Sequence, residues 1–167
     1  MEKQVPVPLS LQHSLFFNQE TAKIPANSSL MEEPYFLYEL QVIKGQPWND
    51  REEGLKALDK WWEKIKPELE EKFQARDPLA KHQMKAAIAL FFMSLFWLNG
   101  EPVQLNDWKS KIFTLSIKPV NVADRLDFIM QRPYSYQAFV QIGELMTEQK
   151  KQWAKYNIVK KRKPDGI

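Results

Sequence analysis

The chain has 167 residues, 44% apolar and 27% charged, with a net charge of +3, proportions of a globular protein that exclude wholesale disorder. That length suits one domain, able to bury roughly two thirds of its unfolded surface without covalent staples. No cysteine is present, which excludes disulfides, thiolate metal sites and thiol catalysis.

The opening "MEKQVPVPLSLQHSLFF" has no basic start, long apolar run or small-residue cleavage site, so the expected location is the cytoplasm. Residues 1–33 read as an N-terminal arm: irregular over residues 1–8, then a short helix from about Leu9 to Asn18 and a loop. A helical domain is expected over residues 34–157. Pro34 suits the first turn of a helix from Tyr35 to Ile43, closed by Gly45 in the left-handed conformation. Asn49, with Glu52 three positions on, reads as the N-cap of the next helix. In that helix Leu55, Leu58, Trp62, Ile65 and Leu69 form one stripe, spaced alternately three and four residues apart. Pro67 removes a backbone donor and crowds the carbonyl four residues back, which predicts a kink or a break near Lys66.

Asp77 and Pro78 then read as N-cap and first-turn proline of a helix running to about Leu98. From Ala86 to Leu98 it carries one polar side chain, Ser94. A bilayer core of about 30 Å needs roughly 20 mainly apolar residues, whereas this run spans only about 20 Å as a helix. Asn99-Gly100-Glu101-Pro102 stops it abruptly. Apolar all round but too short for lipid, it is expected to be a buried central helix.

Beyond it, Trp108, Ile112 and Leu115 suit a helix, while Phe113, Leu115 and Ile117 alternate as a strand would, so residues 107–117 fit either period. Asn121 starts a short helix through Met130. Pro133 breaks it, and Ser135 caps a final helix to about Tyr156 that buries Phe139, Ile142, Met146, Trp153 and Tyr156. Gln149 interrupts that stripe, and Gly143 offers room for a close helix approach. The expected fold is all-α: a compact single-domain bundle of about six or seven helices around the central apolar helix. Residues 158–167 form a basic tail.

In order, the blocks "PYFLYELQVIKGQPWNDRE", "LFWLNGEPV" and "KPVNVADRLDFIMQRPYSYQAFVQIGELMTEQKKQWAKY" resemble the YpoC-like proteins of Gram-positive bacteria, from about Pro34 to Tyr156. The resemblance implies a small helical bacterial protein of a family without an established activity. It brings no functional residue to any position here.

Catalytic and metal motifs are absent from the sequence. His13 and His82 belong to no metal-binding pattern, and His82 lies between Lys81 and Lys85, which repel a cation. No serine nucleophile elbow or glycine-rich phosphate loop occurs, and the acidic residues read as solvated helix faces. The expectation is therefore a non-enzyme with no cofactor and no metal. Two features point to binding instead. Lys150–Ile167 contains Lys150, Lys151, Lys155, Lys160, Lys161, Arg162 and Lys163 with one acid, a net +6, leaving −3 for residues 1–149. Interleaved with Trp153 and Tyr156, these residues suit phosphate contact and base stacking. They also suit a solvated terminus, with Trp153 and Tyr156 as core residues, or an acidic protein or anionic membrane surface. Trp48 in the "GQPWND" loop and Trp61 beside Trp62 suit a protein interface or the edge of a core. The sequence reading is thus an interaction or adaptor module with an unidentified protein partner, and a nucleic-acid accessory protein as its alternative.

Overall fold

A helix that is apolar on every side lowers its free energy only when other elements cover every side. In the computed structural model, which describes residues 3–162 and the side chains of 3–160, that covering organises the chain. The order is β1 (Lys3–Pro6), β2 (Thr21–Ile24), α1 (Arg51–Gln74), α2 (Leu79–Leu98), α3 (Trp108–Phe113), α4 (Val122–Gln131) and α5 (Tyr136–Arg162). Short 3-10 turns stand at Leu9–Leu11 and Pro47–Asn49. Every residue of α2 from Ala86 to Leu98 is buried.

The α1 helix lies along one side of α2 through Leu58, Trp62, Ile65 and Leu69, all buried. The α5 helix covers another side and pairs with α4 in a hairpin. Phe92 of α2 meets Phe16 from the N-terminal segment and Trp108 of α3 at ring-centroid distances of 6.5 and 5.9 Å. Asn99, just past α2, donates from Nδ2 to the carbonyls of Leu95 and Ile117 and accepts from the Ile117 N–H, each at 2.8 Å. One side chain thereby ties the end of α2 to the irregular segment after α3.

The central helix, the start of α4 and the Ser135 cap on the Ala138 N–H (3.0 Å) match the sequence reading, and residues 108–113 resolve as helix. The all-α expectation needs correction: the protein is mostly helical, with five α-helices rather than six or seven among the described residues, plus a two-stranded sheet. The start of the chain, expected to be irregular over residues 1–8, carries a strand among its described residues. β1 and β2 pair antiparallel, with Lys3 opposite Ile24 and Pro6 opposite Thr21, and Val7, Leu11, Phe17, Ala22 and Ile24 enter the core. Each strand has only four residues, too few for alternation to stand out from background. Only the 3-10 turn replaces the helix expected over Leu9–Asn18. Tyr35–Ile43 is a chain of turns instead of a helix, because Phe36 and Gln41 take left-handed φ values of 63° and 62°.

The α1 N-cap is Asp50, whose carboxylate accepts from the Glu53 N–H, one residue past the expected Asn49. Nor does Pro67 break α1. Pro67 and Glu63 both lie on its exposed face, where water serves the carbonyl left without a donor, while the buried stripe holds both halves against α2. Finally, α5 runs on to Arg162.

Glu39 joins the turn segment to the core. Its Oε2 accepts from Trp97 Nε1 at 2.8 Å and from the Val103 N–H at 3.1 Å, while Oε1 is buried without a partner. Burial pushes this carboxyl above its ordinary value, opposed only in part by those hydrogen bonds. The folded protein therefore keeps the Glu39 proton to a higher pH than the unfolded chain does. The stability this adds is complete below the unfolded carboxylate range and is lost as pH rises through the folded value.

Glu39→Gln keeps an oxygen for both donors but cannot ionise. Urea unfolding followed upward from pH 4.5 should show the wild type losing stability relative to this variant as neutrality is approached. A pH-independent difference would remove Glu39 as the cause. In the core, Phe92→Ala should cost about 3–5 kcal/mol by the same measurement. Phe113→Ala, at a side chain 73% exposed, should stay within about 0.5 kcal/mol.

A groove along the α1–α5 seam

Both α1 and α5 pack on α2, and they run antiparallel to each other. Arg51 lies over the Tyr156 ring at 5.6 Å, Lys150 Nζ reaches Asp59 at 3.2 Å, and the Phe73 and Phe139 rings meet at 5.4 Å. Between these ties the two helices part and leave a cavity of about 510 Å³. Leu55, Trp62, Met146 and Trp153 form its walls, and Ser94 and Leu98 of α2 lie at its base. A second depression of about 470 Å³ adjoins it and shares Lys66 and Thr147. Together they make one groove following α5 from Tyr136 to Trp153, about 25 Å at the helical rise.

Leu55, the first position of the expected core stripe, is only half-buried and faces this groove. Gly143 stands in its wall, and a Cβ there would meet no atom within 4 Å. The room at Gly143 is a notch in the groove rather than a crossing point of two helices of this chain. Six acidic side chains line the groove against four basic ones. Arg125 is held by Glu148 and Glu144, and Lys150 by Asp59. The exposed Lys150–Asp59 pair contributes little to stability, about 0–1 kcal/mol, whereas Arg125 is partly buried and also donates to Gln141.

The base of the cavity is polar. Ser94 and Gln149, the single polar interruptions of two apolar stretches, are both buried, and Gln149 Nε2 donates to Ser94 Oγ. Gln149 Oε1 has no hydrogen-bond partner. A buried amide oxygen left in that state costs about 1–3 kcal/mol, so packing alone would favour leucine at this position. Both interruptions are visible in the sequence, but that they meet, 55 residues apart, is a product of the fold.

The residues singled out from the sequence are dispersed. Trp48 is half-buried against Trp97, with centroids 6.5 Å apart. Trp61 is half-buried beside the core, and Lys64 lies over its ring at 5.4 Å. Of the predicted basic residues, Lys150 lines the groove. Lys151 and Lys155 are exposed and one turn apart on α5; Lys160, also exposed, is rotated about 140° from Lys155. Lys161 and Arg162 belong to α5, with side chains outside the described set, and Lys163 lies outside the described residues. The Trp153 and Tyr156 rings, both half-buried, stack on each other at 5.6 Å, and Arg51 covers Tyr156.

Burial holds the His13 imidazole below its ordinary pKa, and its Nδ1 accepts from the Leu15 N–H at 3.1 Å. Among the described residues, no group of three or more His, Asp or Glu side chains stands close enough to hold a metal ion. None of their helices is long and apolar enough to cross a membrane.

The family model for YpoC-like proteins matches residues 52–161, a span containing both walls of the groove and its base. A protein of Bacillus subtilis strain 168, named uncharacterised protein YpoC, is 34% identical over 125 residues, covering 74% of this chain and 76% of the relative. No solved structure matches. With most of its length matched in both comparisons, the chain belongs to the YpoC-like protein family.

Proposed function

We propose that the protein is a non-catalytic interaction module that receives an amphipathic helix of a partner protein in the groove between α1 and α5. The observation that carries this reading is the groove itself: two antiparallel helices over a shared third, lining about 25 Å of depression that the Lys150–Asp59 bridge crosses. That is the shape and length that an apolar helix face of about four turns fills. The notch at Gly143 lets a second backbone come close, and Tyr136 and Val140 add exposed apolar surface on the rim. The excess of acidic over basic lining residues favours a partner helix whose polar face is basic.

The test places a photo-cross-linking residue at Val140 or Lys66, and at Leu9 as a control, in cells of the source organism. Adducts from the two groove positions should map to one helical segment of one protein. That segment, made as a peptide, should bind the purified chain and lose at least tenfold in affinity with Gly143→Trp. Adducts equally strong from Leu9, or binding indifferent to Gly143→Trp, would overturn the reading. Gly143→Ala provides the folding control: with nothing to clash and a better helix former in place, it should raise stability by about 1 kcal/mol.

A second reading, an accessory role on nucleic acid, is favoured by the exposure of Lys151, Lys155 and Lys160 along the last turns of α5. It predicts DNA or RNA binding that weakens steeply with salt and falls in a chain ending at Asn157, which keeps Lys151 and Lys155 but loses Lys160 to Lys163. Absence of binding at low salt would eliminate it.

A further inference from the structure

We propose that the deep end of the groove is a subsite for one aromatic side chain with a hydrogen-bonding tip, a phenol or an indole, carried by the docked helix. This inference rests on the docking reading above and names the chemistry of its anchor.

Three features of the cavity point to that group. First, its walls are Leu55, Trp62, Met146 and Trp153, and tryptophan rings and a thioether are favourable neighbours for another ring. Second, its volume of about 510 Å³, open to solvent on one side, leaves room for an aromatic ring to enter. Third, Gln149 sits at its base, 3% exposed, with Ser94 meeting only one end of its amide. Turning the amide over would exchange the free oxygen for the free NH2, so one end lacks a partner in either orientation. The terminal torsion of a glutamine is soft, so that end can swing to an incoming group.

A phenolic hydroxyl both donates and accepts and therefore satisfies either end. A purely apolar occupant such as phenylalanine would fill the space and leave the amide as it is. The subsite thus selects by the polar tip, and affinity comes from the ring. Interface anchors of this kind, apolar bodies with one polar atom, are the ones enriched at the energetic centres of protein interfaces. The Lys150–Asp59 bridge spans the mouth, and both partners reach solvent, so an entering side chain can displace it.

The test uses analogues of the side chains on the full chain: p-cresol, 3-methylindole and toluene. NMR titration would follow the Gln149 side-chain amide together with the methyl groups of Leu55 and Met146. All three probes should shift the methyls. The amide should respond to p-cresol and 3-methylindole but not to toluene, with p-cresol binding about fivefold tighter than toluene, as one hydrogen bond contributes. Gln149→Leu keeps the volume and removes a buried polar group, so the fold should survive; toluene binding should persist and the p-cresol preference vanish. Ser94→Ala, which frees the whole amide, should keep the preference.

Equal binding of toluene and p-cresol, or an amide that stays still, would overturn the subsite. If the cross-linked peptide docks but is indifferent to Gly143 and Gln149 variants alike, both readings fail. If it needs the Gly143 notch yet tolerates Gln149→Leu, docking stands and the subsite falls. A p-cresol preference with no docking segment would overturn the partner side chain as its source and assign the subsite to a free phenol.

Discussion

The structure depends on the complete burial of α2 from Ala86 onward. Thirteen consecutive residues, Ala86 to Leu98, lie out of solvent on every side of a helix. No single neighbour can cover a cylinder, so the cover is assembled from pieces of very different kinds. Amphipathic α1 and α5 supply the long contacts, α3 brings Trp108, and the N-terminal hairpin brings Phe16. The turn segment before α1 closes the helix end through Tyr38 and Glu39 at Trp97. Left-handed residues at Phe36 and Gln41 bend that segment as it passes along α2, between Glu33 at Lys85 and Glu39 at Trp97.

The same constraint explains where the groove lies. Two helices laid on a third diverge between their contact points, and here the gap falls over Ser94, the one polar position of the central run. A hydroxyl at that place, with Gln149 beside it, tolerates an incompletely filled space better than a layer of bare methyl groups. Aromatic and charged contacts at Arg51–Tyr156, Lys150–Asp59 and Phe73–Phe139 hold the walls at separate points along their length. The outcome is a helical scaffold bearing an open seam between α1 and α5.

Electrostatics divides along the same lines. The positive balance of the chain comes from its last eighteen residues, and the body carries a net −3. The groove shares the body's acidic character, while Lys155 and Lys160 of α5 beyond it are exposed on different faces of the helix. Trp153 and Tyr156, interleaved with those lysines, spend their ring faces on each other and on Arg51.

The buried central helix, its length too short for lipid, the amphipathic stripe of α1 and the cap at Ser135 were legible in the sequence, because local periodicity and caps act within a few turns and need no knowledge of the partner. The family resemblance rested on the order of three residue blocks instead. The sequence could not determine the β1–β2 pairing, since strands of four residues are specified by the surface they cover. Nor could it exclude the Tyr35–Ile43 helix, where Phe36 and Gln41 turn left-handed instead, or foresee that α1 would run through Pro67. Leu55 is the sharpest case. Its spacing places it on the core stripe, yet it lines an opening, because burial there depends on how far away α5 stands. Ser94 and Gln149 were both legible as interruptions, but only the tertiary structure made them neighbours. A hydrogen bond between positions 55 residues apart leaves no periodic trace along the chain; it exists because two helices, each buried for its own reasons, cross where those side chains lie.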